Sequence, residues 1–207
     1  MDITDVKKQS GAKKFVSVFG KSTVAVDSAE YKLVQSVTKL LIEHDYGVMH
    51  GGYAGGTMEA VAEQAYARLT ENNLPLERNI AVPQKQHDEA GWPRVSHATF
   101  MPASDDVFAR LKIITDVDVA IVAPVGGDGT LLELATIWHE NSISNRSRKV
   151  VPLIILTTNT GTNWKQLLET MNRELDNGKE SIHELPWLHF VDTPNECLSI
   201  IESYHSA

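Results

Sequence analysis

The stretch Val117-Asp118-Val119-Ala120-Ile121-Val122-Ala123-Pro124-Val125-Gly126-Gly127-Asp128-Gly129-Thr130-Leu131-Leu132-Glu133-Leu134-Ala135 changes period in the middle. Val117–Ala123 is a β-branched apolar run that stops at Pro124, which reads as a buried strand. From Leu131 the apolar residues recur at helical spacing, through Leu134, Ala135 and Trp138. Between them lie Gly126, Gly127 and Gly129. Glycine at such a connection permits positive φ and lets a ligand approach the backbone, while the helix that follows aims unpaired N–H groups and a positive dipole end at the same place. A phosphate fits that arrangement, with Thr130 adding a hydroxyl. A tight turn without a ligand is the plain alternative.

The same unit recurs along the chain. Apolar runs at Phe15–Phe19, Gly47–His50, Asn79–Val82, Ala98–Met101, Val151–Leu156 and Trp187–Val191 alternate with helical segments. That alternation predicts a single α/β domain, a mostly parallel sheet with helices on both faces. Helices are predicted from a capping box at Asp27 and Glu30 with Leu33, Val37 and Leu40 inward, and on the stripes Met58, Val61, Ala62, Ala65 and Trp164, Leu167, Leu168, Met171. A further helix over 104–115 carries Val107, Phe108, Leu111 and Ile114, and the last opens at Thr193-Pro194-Asn195-Glu196. Residues 84–97 and 141–149 read as loops, the second with Arg146, Arg148 and Lys149 as a solvated charge cluster. Residues 1–13 show no periodicity and are expected to form a flexible tail before a domain spanning 14–207. Trp138 and Trp164 fall on apolar stripes and are expected in the core or an interface, and His50 is expected to be a hydrogen-bonded histidine at a strand end.

In a doubly wound sheet, ligands bind outside the carboxyl ends of the strands. Two more glycine turns fall there: Phe19-Gly20-Lys21-Ser22-Thr23 and His50-Gly51-Gly52-Tyr53-Ala54-Gly55-Gly56-Thr57. Three glycine turns at one sheet edge favour binding over bare turn geometry. Gly20, Lys21, Ser22, Gly51 and Gly52 therefore join Gly126, Gly127, Asp128, Gly129 and Thr130 as candidate ligand-binding residues. Glu133 lies about 200° around the helix from Leu131, off the core stripe, and Arg110 borders the stripe of its own helix. Each has a bland reading, a dipole-stabilising glutamate and a snorkelling arginine, beside a ligand-facing one.

Bulk properties narrow the classes. The 207 residues suit one substantial core, and a formal net charge of −8 argues against nucleic-acid polymers and anionic membranes. A single cysteine, Cys197, excludes an internal disulfide framework and fits a reducing compartment; with no signal-peptide h-region or membrane-length apolar stretch, the expected location is cytoplasmic. No His-x-x-x-His pair or histidine-assisted cysteine points to metalloprotease or thiol chemistry.

The arrangement resembles the LONELY GUY (LOG) family, often labelled possible lysine decarboxylases, whose motif is Pro-Gly-Gly-x-Gly-Thr-x-x-Glu preceded by an arginine. Gly126-Gly127-Asp128-Gly129-Thr130-Leu131-Leu132-Glu133 matches all but the leading proline, here Val125, and Arg110 lies sixteen residues before Gly126. Gly51–Ala62 and Phe19–Ser22 resemble the family's two earlier turns. The resemblance implies a Rossmann-like domain, generally dimeric, that binds a nucleoside 5′-monophosphate and hydrolyses its N-glycosidic bond to free base and ribose 5-phosphate. It implies that Gly126, Gly127, Gly129 and Thr130 hold the phosphate while Glu133 and Arg110 act at the ribose. No cofactor is expected, and magnesium enters only if Asp128 accepts a metal.

Leu111 stands where the family has lysine, and Leu132 where it has the first of two glutamates. These departures keep open a non-catalytic nucleotide or molybdenum-cofactor carrier or sensor of the same superfamily. Gly126–Leu132 also resembles the Gly-Gly-Asp-Gly-Thr loop of NAD kinases, which would explain Asp128 but calls for a β-rich domain after the loop.

Overall fold

The computed structural model describes residues 2–143, 150–175 and 181–204. Seven strands, β1 (Phe15–Phe19), β2 (Gly47–His50), β3 (Asn79–Ala81), β4 (Thr99–Phe100), β5 (Val119–Val122), β6 (Leu153–Leu156) and β7 (Leu188–Val191), pair in the order β4-β3-β2-β1-β5-β6-β7, every pair parallel. All seven lie inside the predicted runs. Register is set on central β1, where Val16 pairs with Val48 on one side and Val119 on the other. Every residue of β1 is buried; its one hydroxyl, on Ser17, donates to the carbonyl of Ile114. A parallel sheet covered on both faces demands that continuous apolar character, which is why these strands read as runs rather than alternations.

The helices sort by direction of travel. From β1 the chain moves outward through α2 (Ala29–Glu43) to β2 and through α3 (Gly56–Glu71) to β3, and these helices, with α8 (Pro194–Ser203), cover one face around Val34, Val61 and Ile201. From β4 it crosses back through α5 (Val107–Ile114) to β5, then moves the opposite way through α6 (Asp128–Ile143) and α7 (Trp164–Leu175). With right-handed crossovers, reversing direction reverses the face. These later helices pack on the other side around Ile114, Leu134, Trp138 and Trp164. The reversal falls between β1 and β5, whose carboxyl ends therefore feed loops that diverge and leave a crevice.

Several expectations are corrected. The N-terminal segment is not a tail: Ile3–Ser10 form α1, capped by Asp2, with Val6 and Ser10 fully buried. Its anchor is distant in sequence, since buried Arg78 donates from Nε to the Ser10 carbonyl at 3.0 Å, from Nη2 to the Gly11 carbonyl at 3.1 Å and from Nη1 to Asp45 at 3.1 Å. Ser28, not Asp27, caps α2; Asp27 has φ of 69°, and Glu30 accepts hydrogen bonds from Thr158 and Thr160. On α2, Val37 is buried as predicted, but Leu33 and Leu40 are half-buried and Val34, Thr38 and Leu41 complete the buried face. Phe108 is 76% exposed rather than buried. The loop at 84–97 contains a short helix, α4 (Lys85–Glu89), and 141–143 finish α6; Arg146, Arg148 and Lys149 lie outside the described residues. Trp138 and Trp164 are buried as expected, and the Thr193 cap with Pro194 at the first helical position is present. No helix of the described residues is long and apolar enough to cross a membrane.

The Arg78 clasp has a measurable consequence. Arg78→Ala removes three charge-assisted contacts and leaves the carbonyls at the end of α1 without their donor, which should destabilise by about 3 kcal/mol. Urea unfolding should show it, with α1 the first segment to lose hydrogen-exchange protection; unchanged protection over 3–10 would refute the clasp.

Candidate functional site

The crevice between β1 and β5 holds a cavity of about 310 Å³. That is the lower end of small-ligand sites and suits one mononucleotide-sized molecule. All three glycine turns reach it, but by different means. Gly20, Lys21 and Ser22 line it from the first. A side chain at Gly20 would overlap Thr57, whose Oγ1 would lie 2.3 Å from the added carbon, and the Thr57 N–H donates to the Lys21 carbonyl at 3.0 Å. The first two turns are therefore clasped together. Gly56, at φ of 55°, faces the Lys21 carbonyl so closely that an added carbon would come within 2.2 Å of it.

In the second turn the N–H groups of Gly52, Ala54, Gly55 and Thr57 donate within the protein. Gly55 N–H donates to Glu59 at 3.0 Å and Gly52 N–H to His50 Nδ1 at 3.1 Å. His50 is fully buried, and its Nε2 lies 3.1 Å from Asn79 Oδ1. Since Nδ1 accepts, Nε2 carries the proton and donates; Asn79 in turn donates to the carbonyls of Ala62 and His97. Burial drives the His50 pKa down to about 4, opposed by the Asn79 bond, so this is a neutral structural imidazole, as expected for a satisfied strand-end histidine. Gly51 lines the cavity because the Arg110 guanidinium lies where its side chain would be, 2.4 Å from an added carbon; Gly52, facing Ala81, does not.

The third turn is built differently from expectation. None of Gly126, Gly127 and Gly129 has positive φ. Gly126 is a packing glycine: an added carbon would sit 2.1 Å from the ring of Trp164, which is locked by its Nε1–H bond to the Ala123 carbonyl at 3.0 Å. Gly126 is not among the residues lining the cavity, whereas Gly127, Asp128, Gly129 and Thr130 are. A carbon added at Gly127 or Gly129 would meet nothing within 4 Å. Here glycine keeps the helix entrance bare rather than enabling a special dihedral. The turn itself is braced, as Gly126 N–H donates to Thr162 Oγ1 at 3.2 Å and Gly127 N–H to Thr130 Oγ1 at 3.3 Å. Asp128, Gly129 and Thr130 form the first turn of α6, whose N–H groups a helix leaves without internal acceptors. Asp128 is exposed, and among the described residues no group of three or more His, Cys, Asp or Glu side chains could hold a metal ion.

Two ionisable groups meet beneath this turn. Glu133 is 7% exposed, correcting the expectation that it lies off the buried face: the buried stripe of α6 is Thr130, Glu133, Leu134, Ile137 and Trp138. The missing wall is α5, which seats Arg110 opposite, Nη1 at 3.3 Å from Glu133 Oε1. Arg110 Nε also donates to the Val82 carbonyl at 2.9 Å, fixing the plane of the guanidinium. Burial pushes the Glu133 carboxyl up to about 7, and the positive charge and hydrogen bond of Arg110 oppose that rise without cancelling it. Its charge state therefore changes near neutral pH, the behaviour expected of an acid–base group rather than of a solvated first-turn glutamate.

With this geometry in view, comparison with known proteins is informative. The family model described as "possible lysine decarboxylase" matches residues 58–201. The chain belongs to this family, the LOG family. No curated protein sequence matches it significantly. Among solved structures, the molybdenum cofactor carrier protein of Chlamydomonas reinhardtii superposes on this LOG-family chain with a TM-score of 0.63 at 14% identity, covering 94% of this chain and 100% of that one. The molybdenum cofactor binding protein of the phototrophic bacterium Rippkaea orientalis gives 0.59 at 18% identity, covering 92% and 96%. At such identities the likeness is one of fold.

Tyr53, Met58, His87 and Trp92 also line the cavity, and the sequence reading did not single them out as site residues. His87 and Trp92 belong to the segment read as a loop and have no periodicity to mark them. Cys197 is buried on the opposite face, its thiol pushed up to about 12 by burial, and takes no part.

The glycines separate by experiment. Gly127→Ala and Gly129→Ala should leave stability within about 0.5 kcal/mol of the parent while weakening phosphate binding at least tenfold, whereas Gly126→Ala should lower stability by about 1–3 kcal/mol through Trp164. Thermal melts and ribose 5-phosphate titration of the three variants read both effects.

Proposed function

We propose that the cavity binds a nucleoside 5′-monophosphate and that the protein hydrolyses its N-glycosidic bond. The observation that carries this reading is the buried Arg110–Glu133 pair one helical turn below the bare entrance of α6, with Glu133 titrating near neutrality. The 5′-phosphate rests against Gly127, Gly129 and Thr130, where backbone N–H groups and the helix dipole supply positive potential despite the protein's net negative charge. Lys21 and Ser22 reach the ligand from the first turn. The ribose then lies over Glu133.

As the C1′–N bond breaks, C1′ gains oxocarbenium character, which the Glu133 carboxylate stabilises while orienting a water. The water oxygen bonds to C1′ and one of its protons ends on the departing base, leaving ribose 5-phosphate and free base. Arg110 holds the carboxylate in place and is itself held by Val82. Asp128, exposed at the same entrance, is assigned to the ribose, and turnover with and without added magnesium distinguishes that role from metal recruitment.

Glu133→Gln should retain nucleotide binding and lose turnover by at least about a hundredfold. Because the ionised carboxylate is the active form, kcat/KM of the parent should rise as pH increases through about 7. Stability should move the other way. The folded carboxyl holds its proton up to about 7 and the unfolded one releases it near 4.5, so the folded state binds more protons between those values and stability falls as pH rises across the window. The Gln variant should lack both dependences. Release of base and ribose 5-phosphate from a panel of nucleoside monophosphates, followed by chromatography, tests the activity directly.

A second reading, a carrier or sensor that binds without turnover, is favoured by the two cofactor-binding proteins that share the fold. Ligand-dependent stabilisation with no product from any nucleotide would select it. The phosphotransferase reading has less support, because α6 is followed, among the described residues, by β6, α7, β7 and α8 of the same sheet rather than by a β-rich domain.

Homodimerisation is part of the same proposal. The groove between α5 and α6 presents Phe108, 76% exposed, and Leu132, 41% exposed, beside Lys112, Asp116 and Glu140. Apolar side chains flanked by both charge signs can pair with a second copy about a twofold axis. Phe108→Asp should then yield a folded monomer by light scattering; an unchanged mass would exclude this face.

A further inference from the structure

We propose that the stacked pair His87 and Trp92, with the edge of Tyr53 set against it, is a docking platform for the planar nitrogen heterocycle of a ligand whose phosphorylated arm reaches α6. The proposal rests on the phosphate placement in the preceding section and deepens it by naming what occupies the other end of the cavity.

The first support is order along the cavity. Thr130 and Glu133 are one turn apart on α6, Glu133 contacts Arg110, and Arg110 lies against Gly51 and within electrostatic reach of both His87 and Tyr53. A phosphate at the helix entrance and a reacting carbon over Glu133 therefore direct the rest of the ligand toward the aromatic end.

The second support is construction. His87 and Trp92 stack with centroids 4.4 Å apart and planes 6° from parallel, and Tyr53 meets them edge-on at 5.2 and 5.8 Å. Trp92 is 46% exposed, whereas Trp138, Trp164 and Trp187 are all buried. An exposed indole on a loose loop would mean little, but the backbone on both sides of this one is held by hydrogen bonds. Trp92 N–H donates to the His87 carbonyl at 3.0 Å, Ala54 N–H to the Pro93 carbonyl at 2.8 Å, and Val95 N–H to the Gly52 carbonyl at 3.1 Å. Arg94 grips Asp88 with two bonds of 3.1 and 2.6 Å and lies over the Phe100 ring, while the Tyr53 hydroxyl both donates to the Gln84 carbonyl and accepts from the Gln84 N–H, each at 2.8 Å. The frame is satisfied, and it holds a large aromatic surface half open to solvent at the mouth of the cavity.

The third support is chemistry. His87 Nδ1 is buried without a hydrogen-bond partner among the described residues. Burial, then the charge of Arg110, lowers the imidazole pKa, which favours the uncharged ring beside a heterocycle. Nearby Asp88 is already taken by Arg94 and Tyr53. What remains for a ligand is a π surface, which suits an uncharged nitrogen heterocycle. Nucleobases and pterins share that chemistry.

Titrations of adenosine 5′-monophosphate, a pterin monophosphate and ribose 5-phosphate test the proposal, read by calorimetry and by the tryptophan quenching that is lost in Trp92→Ala. The parent should bind one of the ring-bearing phosphates at least about tenfold more tightly than ribose 5-phosphate, since stacking of a base on an aromatic side chain supplies that preference. Trp92→Ala should abolish it and leave ribose 5-phosphate affinity unchanged, while Trp92→Phe should retain most of it. The preferred ring distinguishes nucleobase from pterin. A ring preference undiminished in Trp92→Ala, or absent from a parent that binds ribose 5-phosphate, overturns the platform while leaving the phosphate site intact. A Trp92-dependent preference without release of base upholds the platform and overturns hydrolysis. If no phosphate binds, both fall.

Discussion

The candidate site in this molecule hangs on the change of winding direction between β1 and β5. A parallel sheet needs crossovers of one hand, so reversing the direction in which strands are added sends the helices to the opposite face. The chain emerging from β1 turns toward α2 and the chain emerging from β5 toward α6, and the cavity opens between them. The Gly20–Ser22 and Gly127–Thr130 turns border the same cavity for that reason alone, although more than a hundred residues separate them.

The glycines around the crevice do four different jobs. Gly20 and Gly56 allow two loops to touch, Gly51 makes room for the Arg110 guanidinium, Gly126 receives an indole, and Gly127 and Gly129 keep the entrance of a helix bare. Only the last job suits the phosphate site proposed above. Gly52 and Gly55 of the second turn donate to His50 and Glu59, whereas Gly127 and Gly129 of the third stand at a bare helix entrance, a difference that the resemblance of the two turns in sequence conceals. The pairing of Arg110 with Glu133 follows similar logic. Leaving one of them buried alone would destabilise the fold by about 3–5 kcal/mol. Holding both, with Val82 as a further acceptor, keeps a carboxyl poised between its two protonation states.

Periodicity failed where a helix has more than one neighbour. Glu133 lies off the stripe that faces the sheet yet is buried because α5 lies across it, and Phe108 lies on a stripe yet stands in solvent. Helical pattern reports an apolar face, not what covers it. The N-terminal segment illustrates the converse: Ile3–Ser10 carries one deeply buried apolar residue, Val6, too few to mark a helix, and is held by a guanidinium 68 residues away from Ser10.

The sequence by itself determined the α/β class, all seven strands, the three glycine turns and the candidate status of Arg110 and Glu133, because strand runs, turn residues and motif spacing are local properties of the chain. Tertiary structure alone decided which glycines line the cavity, that Arg110 and Glu133 are paired and buried, and that His87, Trp92 and Tyr53 form one aromatic wall. Those are matters of distance between elements far apart in the chain. Contacts across the switch point arise only when β1, β2 and β5 are laid side by side, which no local pattern encodes.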